Sequence, residues 1–326
     1  ITIYFTTSIN AESGVSAFMY HRFGEDKYPS TNVSEAQFLS HIEYILKNKI
    51  PVYSLEDVIE TVENNETFDQ KAVAFSVDDA FKSFYEIAWP VFRENNIPVT
   101  LFISTDIIDK NTKGYMNWDE IRTYINEGGM IGQHTSTHLH MPLKDQKYIK
   151  DDILDSHKSF IKNIGFIPKL FAYPYGESSK SVIEVLKQFG ILFAFGQHSG
   201  IISSYSNPHY LPRFSLNERF GELERFEFAA NAHALLVEDF LPTEIYLEKN
   251  SKPTIEFSFM NNLRGNAIDC FSNPGGSWNL QEVINIKSNR IQINLKEKYN
   301  EGRARLNCTV KVENLWYWFG HQFLVK

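Results

Sequence analysis

Six short, almost continuously apolar runs recur along the first two thirds of the chain, separated by longer stretches with helical spacing. They are AFMY (17–20), VAFSV (73–77), VTLFI (99–103), GMIGQ (129–133), KLFAY (169–173) and ILFAF (191–195). A strand that is apolar on both faces must be covered on both. Strands alternating with helices achieve this as a parallel sheet with its crossovers outside, open or closed into a barrel. FLSHIEYILKN (38–48) puts Phe38, Ile42, Ile45 and Leu46 on one helical face, and SVIEVLKQFG (181–190) stops at Gly190. The stretch 143–163 carries Ile149, Ile153 and Phe160 in the same way, with Ile164 just beyond. FKSFYEIAWPVFREN (81–95) contains Pro90, which predicts a kink or a shortened helix.

Reactive groups on parallel sheets gather at the carboxyl ends of the strands. Here His21 follows the first run, Asp78 and Asp79 the second, His134 the fourth, and Tyr173-Pro174-Tyr175-Gly176 the fifth. Two adjacent carboxylates at the end of a buried strand repel each other and lose hydration, so they need a reason. Capping the next helix is one. The other is that Asp79 ligates a metal while Asp78 acts as general base. HTSTH supports the second, because His134 and His138, four apart on a helix or helical turn, can close on one ion. With Asp79 they make a two-histidine, one-carboxylate set that leaves coordination positions open, as a catalytic metal site requires. Zn²⁺ suits these ligands, and Co²⁺ or Ni²⁺ fits them too.

SVDDAF, HTSTH and AYPYG, in that order, resemble the motifs of the metal-dependent polysaccharide deacetylases (carbohydrate esterase family 4, the chitooligosaccharide deacetylase superfamily) over residues 15 to 230. The resemblance implies a distorted (β/α)7 barrel, with Asp78 as base and Asp79, His134 and His138 as metal ligands. It also implies a substrate-groove turn at Pro174, Tyr175 and Gly176, in which the Tyr175 backbone N–H helps hold an oxyanion. The chain departs from the family pattern at three places. Ala172 or Tyr173 stands where many members have an arginine. HALLVED (233–239) is a poor match to the late motif that supplies the general acid. MYHRFGE brings a histidine early, which is similar to the branch that N-deacetylates poly-N-acetylglucosamine. That likeness implies His21 as the acid, the alternative being a structural histidine packed by Arg22 and Phe23. Arg213 in YLPRF is also typical of that branch and is expected to orient Asp78.

The implied reaction is removal of N-acetyl groups from an N-acetylglucosamine-containing polysaccharide by metal-activated water. The alternatives are an O-acetyl ester or small non-sugar amide as substrate, or a carbohydrate-binding protein with reduced activity. Serine hydrolysis is disfavoured, since no G-x-S-x-G elbow is present. The formal charge of −8 without a basic stripe disfavours a nucleic-acid partner. No run approaches the ~18 apolar residues of a spanning helix.

After about residue 240 the texture becomes short alternating runs broken by NN, NPGG and EKYNEG, which predicts a small antiparallel β-sandwich. The expected division is a barrel over 1–240 and an accessory domain over 241–326, meeting near Leu241-Pro242-Thr243. The accessory domain could bind glycan, contact an envelope or glycan-assembly partner, or cover a barrel face. Its tail NLWYWFGHQF is read as core rather than as a carbohydrate platform. Trp118 is expected beneath the metal site or stacked on a sugar, His198 and His209 near the groove, and His140, His157 and His321 at the surface or in the core. The opening ITIYFTTSINAESG reads either as the end of a clipped signal peptide, with Ala11 near the cleavage point, or as a first strand. The first makes the protein exported, periplasmic or in the envelope, with a cytoplasmic location as the alternative. Cys270 and Cys308 can pair if it is exported.

Overall fold

The computed structural model describes residues 13–326, apart from 264 and 275. The segment containing Ala11, with its two readings, lies outside the described residues. The first part of the chain runs β1 (Val15–Tyr20), α1 (Glu35–Asn48), α2 (Leu55–Glu63), β2 (Ala72–Asp78), α3 (Trp89–Glu94) and β3 (Val99–Ile103). It continues with α4 (Thr105–Asp109), α5 (Trp118–Asn126), β4 (Met130–Gln133), α6 (Gln146–Ile164), β5 (Phe171–Ala172), α7 (Lys180–Gln188), β6 (Ala194–Phe195), β7 (Phe214–Ser215) and α8 (Leu223–Asn231). β1, β2 and β3 are buried at every position, as their apolar runs require. All seven strands pair in parallel in the order β6-β5-β4-β3-β2-β1-β7. The segment ending in β7 touches both edges of this sheet, since Leu211 bridges Phe195 while Phe214 aligns with Phe18. The sheet is thereby curled into a deformed barrel with helices outside.

Local sequence accounts for the helix limits. Ser34 caps α1 through a reciprocal capping box with Gln37, and Lys49 ends it in the left-handed conformation. The expected kink in 81–95 takes a specific form: a π-helical turn over Phe84–Ala88 precedes α3, which carries Pro90 in its first turn. Trp118 does not underlie the metal site. It opens α5, packs edge-on against Phe160 and donates to Asp109 Oδ1 at 2.8 Å.

The remaining strands are β8 (His233–Ala234), β9 (Val237–Leu241), β10 (Tyr246–Leu247), β11 (Ile255–Phe259) and β12 (Asp269–Ser272). β13 (Asn279–Leu280), β14 (Glu282–Lys287), β15 (Arg290–Asn294), β16 (Gly302–Val312) and β17 (Leu315–Val325) follow. One sheet is ordered β8-β17-β16-β12-β13, with β10 on β17, and the other β9-β11-β15-β14. Side chains of both, including Phe257, Ile293, Leu306 and Phe323, share one buried cluster. Cys270 and Cys308 face each other across β12 and β16 and form a disulfide. The aromatic tail divides: Tyr317 is core, Trp316 is exposed, and Trp318 is half-buried beside the barrel, with its ring 4.9 Å from that of Phe214.

The barrel and the C-terminal strands meet along a tight seam. β8 pairs in parallel with β17, and Gln322 Nε2 donates to the carbonyls of Tyr175 and Gly176 at 3.2 and 3.0 Å. At Gly320 a Cβ would lie 1.8 Å from the Ser199 carbonyl oxygen, so only glycine allows the two backbones to approach this closely. We predict that Gly320→Ala destabilises the protein by about 2–3 kcal/mol, read as a lowered midpoint in chemical denaturation.

His41, buried in α1, is held between the Tyr20 hydroxyl (2.9 Å) and the Gly221 carbonyl (2.7 Å). Burial lowers its pKa to about 4, so the folded state keeps it neutral while the unfolded chain takes up a proton below about 6.5. Its contribution to stability is therefore complete above pH 6.5 and is lost as the pH falls towards 4. The loss of stability between pH 7 and 4.5 should be roughly 2 kcal/mol smaller in His41→Gln than in the wild type.

Candidate active site

The carboxyl end of β2 sets the geometry. Asp78 is its last residue, and the chain then turns through Asp79 (φ 75°) and Ala80 (φ 55°), a left-handed pair that non-glycine residues adopt at a cost. This turn sends the two carboxylates to different surroundings. Asp78 is fully buried and receives a bidentate pair from Arg213, Nη1 to Oδ1 at 2.7 Å and Nη2 to Oδ2 at 2.9 Å. Arg213, equally buried, also donates to Ser76 Oγ and the Gly196 carbonyl, so its fork is locked. Burial alone would raise the pKa of Asp78, but the Arg213 charge, aided by His134 and the two hydrogen bonds, brings it down to about 2. Asp79 lacks such a partner. Burial first, and the neighbouring Asp78 charge, raise it to about 6 against the lowering influence of His21.

Asp79 Oδ1 stands 3.3 Å from His138 Nε2 and 3.6 Å from His134 Nε2, and the three ligand atoms all lie within 4.8 Å of one another. His134 Nδ1 donates to the Ala172 carbonyl at 2.7 Å, which fixes the tautomer and leaves Nε2 as a bare lone pair. Nε2 of His134 and Oδ1 of Asp79 are both buried without a hydrogen-bond partner. Two orphaned acceptors converging with a second imidazole are costly alone and are satisfied by a cation. The residues fit a divalent metal.

The histidines do not reach this point from a helix, contrary to the sequence expectation. Residues 134–140 form an irregular loop, with Thr135 (φ 64°) and His138 (φ 55°) left-handed, and these reversals bring the two rings within 4.9 Å. The loop is fastened from α6 by Asp152, which accepts from the Ser136 and Thr137 amides (2.7 and 3.1 Å) and the Thr137 hydroxyl (2.6 Å). Asp152 was missed in the sequence. Its signal was there, because an acidic residue beside Ile149 and Ile153 breaks the apolar face of α6.

Tyr175 lies in the turn after β5 with φ 60°, and its N–H has no acceptor among the described residues. Its ring meets His138 edge-on at 4.5 Å and stacks on His140 at 3.8 Å. His140 is thus beside the site rather than incidental, held by Glu177 at 2.7 Å. His21 follows β1 and lines the same groove as Asp79, His138 and Tyr175. Its neighbours point elsewhere: Arg22 covers the Tyr28 and Phe81 rings and pairs with Glu25, and Phe23 is core. This groove, of about 580 Å³, is also walled by Arg303, Arg305 and Trp318 from the C-terminal strands and by Trp278 just before β13. A second depression of about 280 Å³ shares Asp79, His138 and Tyr175 with the groove and is bounded by Ser104, Tyr115 and Thr137. His198 and His321 lie apart, in a cavity between Tyr210 and Phe240, while His209 lines neither that cavity nor the groove. His157 bonds to Gln133.

The sequence profile described as polysaccharide deacetylase matches residues 65–194. The poly-beta-1,6-N-acetyl-D-glucosamine N-deacetylase of Staphylococcus aureus is 26% identical over 215 residues, covering 62% of this chain and 73% of that protein. The Staphylococcus epidermidis protein of the same name is 24% identical over 217 residues, covering 61% and 73%. Among solved structures, Streptococcus pyogenes deacetylase PplD superposes with a TM-score of 0.61 at 17% identity, covering 67% of this chain and 98% of that one. IcaB from Ammonifex degensii gives 0.58 at 19%, covering 68% and 98%. These structures share the barrel fold, and about a third of the present chain lies outside each alignment.

Asp152→Ala should leave two amides near the histidine loop unsatisfied and weaken binding of a divalent metal by about 10–100-fold, as measured by competition with a chromogenic chelator.

Proposed function

We propose that this chain, which belongs to the polysaccharide deacetylase family, is an exported, metal-dependent hydrolase that removes N-acetyl groups from an N-acetylglucosamine-containing polysaccharide. The observation that carries this reading is the division between adjacent carboxylates. Asp78 is held ionised by Arg213, while Asp79 presents a bare oxygen between two imidazoles. Zn²⁺, or Co²⁺ or Ni²⁺ in its place, held by Asp79, His134 and His138, would supply Lewis acidity and draw the pKa of a water from about 15.7 towards 7.

The remaining steps belong to the chain's own groups. Asp78, with a pKa of about 2, is a weak base, and each of its oxygens keeps a lone pair free of Arg213 with which to accept the attacking water's proton. As that water's oxygen adds to the acetamide carbonyl, the Tyr175 N–H donates to the developing oxyanion, an interaction worth about 3–4 kcal/mol in comparable sites. His21 makes no hydrogen bond among the described residues, faces the groove, and gives a proton to the leaving nitrogen as the C–N bond breaks. Acetate and a glucosamine unit result. Arg213 orients Asp78, in place of the arginine absent at Ala172 or Tyr173.

The site favours a polymer over a small amide, because two depressions, of about 580 and 280 Å³, both adjoin Asp79 and His138 and offer room beyond one acetamide. The relatives' named substrate is a β-1,6-linked N-acetylglucosamine polymer. The disulfide between Cys270 and Cys308 supports an oxidising location outside the cytoplasm. We take the two C-terminal sheets as a sandwich and divide the chain into 1–240 and 241–326, with β8 and β9 crossing the division to pair with C-terminal strands.

Metal-loaded protein should release acetate from N-acetylglucosamine oligomers. Asp78→Asn and His21→Ala should each lower kcat by about 10²–10⁴-fold with metal still bound. Absence of acetate from every acetylated glycan at full metal occupancy would sink the proposal.

A further inference from the structure

We propose that the substrate polysaccharide carries anionic groups, carboxylate or phosphate, and that Arg303 and Arg305 of the C-terminal strands bind them beside the reacting acetamide. This rests on the deacetylase reading and names the substrate class for that site.

The charge on the groove wall is the first argument. The chain as a whole carries −8, yet the groove is lined by Arg225, Arg303 and Arg305 against a single carboxylate, Asp79, which belongs to the metal set. Arg305 uses Nε on Gln322 Oε1 at 2.9 Å, and its terminal nitrogens make no hydrogen bond or ion pair among the described residues. Arg303 has only a long contact to Glu177, 3.9 Å, and Glu177 already holds His140. Arg225, contributed by α8, donates to the carbonyls of Phe220 at 2.8 Å and Ser215 at 3.4 Å and has no carboxylate partner among the described residues. Burial, and then the neighbouring Arg303 charge, lower the pKa of Arg305 to about 10. Arg303 and Arg305 are therefore like charges crowded in a partly dehydrated wall, offset among the described residues only by the long contact from Arg303 to Glu177. Such a fork is built to receive a carboxylate or phosphate in two parallel bonds.

The position of this wall is the second argument. The Arg303 guanidinium lies 5.9 Å from the Tyr175 ring centroid, and Gln322 joins Arg305 to the Tyr175 turn. An anion bound by Arg303 sits beside the Tyr175 ring. Trp278, 39% exposed, offers an aromatic face for a sugar on the same side.

The product is the third. Each turnover turns a neutral acetamide into an ammonium, so a neutral polymer grows cationic and is pushed out by three arginines. A polymer with its own negative charges stays bound through successive turnovers.

The test is isothermal titration of the Zn²⁺-loaded full chain with three oligosaccharides of equal length. One is a neutral β-1,6 N-acetylglucosamine oligomer, one alternates glucuronate with N-acetylglucosamine, and one carries glycerol phosphodiesters. At least one anionic oligomer should bind about tenfold or more tighter than the neutral one, and the tighter of the two identifies the group. The advantage should shrink with added salt, collapse in Arg303→Gln/Arg305→Gln, and partly return with Arg305→Lys. Equal affinities, including no measurable binding of any oligomer, or an advantage that survives the double substitution, would overturn the proposal. Acetate release in the same samples judges the parent reading separately. Anion-selective binding without acetate leaves this proposal standing and removes the other. Acetate from the neutral oligomer with no anionic preference does the reverse.

Discussion

The buried pair between Asp78 and Arg213 is the interaction on which both the barrel and the site depend. Arg213 immediately precedes β7, the strand that reaches across to β1, and Asp78 ends β2 on the other side of β1. Their bond therefore spans the inside of the barrel next to the closing segment. Both side chains are wholly out of water, and desolvation on that scale is offset only because every interaction is directed: two bonds to the carboxylate, one to Ser76, one to Gly196. Removing either member would strand the other charge, at a cost of about 3–5 kcal/mol. A neutral pair could close the barrel, but it would not keep an ionised carboxylate beside Asp79 and His134.

Around that fixed point the site is assembled from backbone in sparsely populated conformations. Asp79, Ala80, Thr135, His138 and Tyr175 all have positive φ, and all lie within the three strand-end turns that form the site. Each costs of order 1 kcal/mol or more, so the turns persist because something rigid holds them. Asp79 is tied by its amide to the Phe102 carbonyl, the histidine loop by Asp152, and the tyrosine turn by Gln322 and Tyr210. The strain lets short turns aim side chains at one volume.

Much of this was legible in the chain because its signals are local. Apolar runs announce buried parallel strands, and strand ends announce where Asp78, Asp79, His134 and Tyr175 collect. The departures come from contacts that no local pattern encodes. The i, i+4 spacing of His134 and His138 suggested a helical face, whereas Asp152 from α6 stabilises a left-handed loop with the same reach. Trp118 is expected beneath the metal site or on a sugar, but its indole N–H donates to Asp109 and its ring packs on Phe160 of α6. His140 read as incidental because its partners, Glu177 and Tyr175, arrive from another strand end. Arg303 and Arg305 gave no hint at all, since alternating charged residues on a strand usually face water.

The seam at Gly320 and Gln322 sets a condition on timing. The turn bearing Tyr175 is fastened by a strand more than a hundred residues further along, and the groove wall comes from the same region. A nascent chain that has released Asp79, His134 and His138 still lacks the clamp on that turn until residues 315–325 have emerged and docked. The complete groove therefore arrives late in biogenesis, after the barrel strands have been made, and a chain halted partway through synthesis would carry Asp79, His134 and His138 while the turn bearing Tyr175 remained slack.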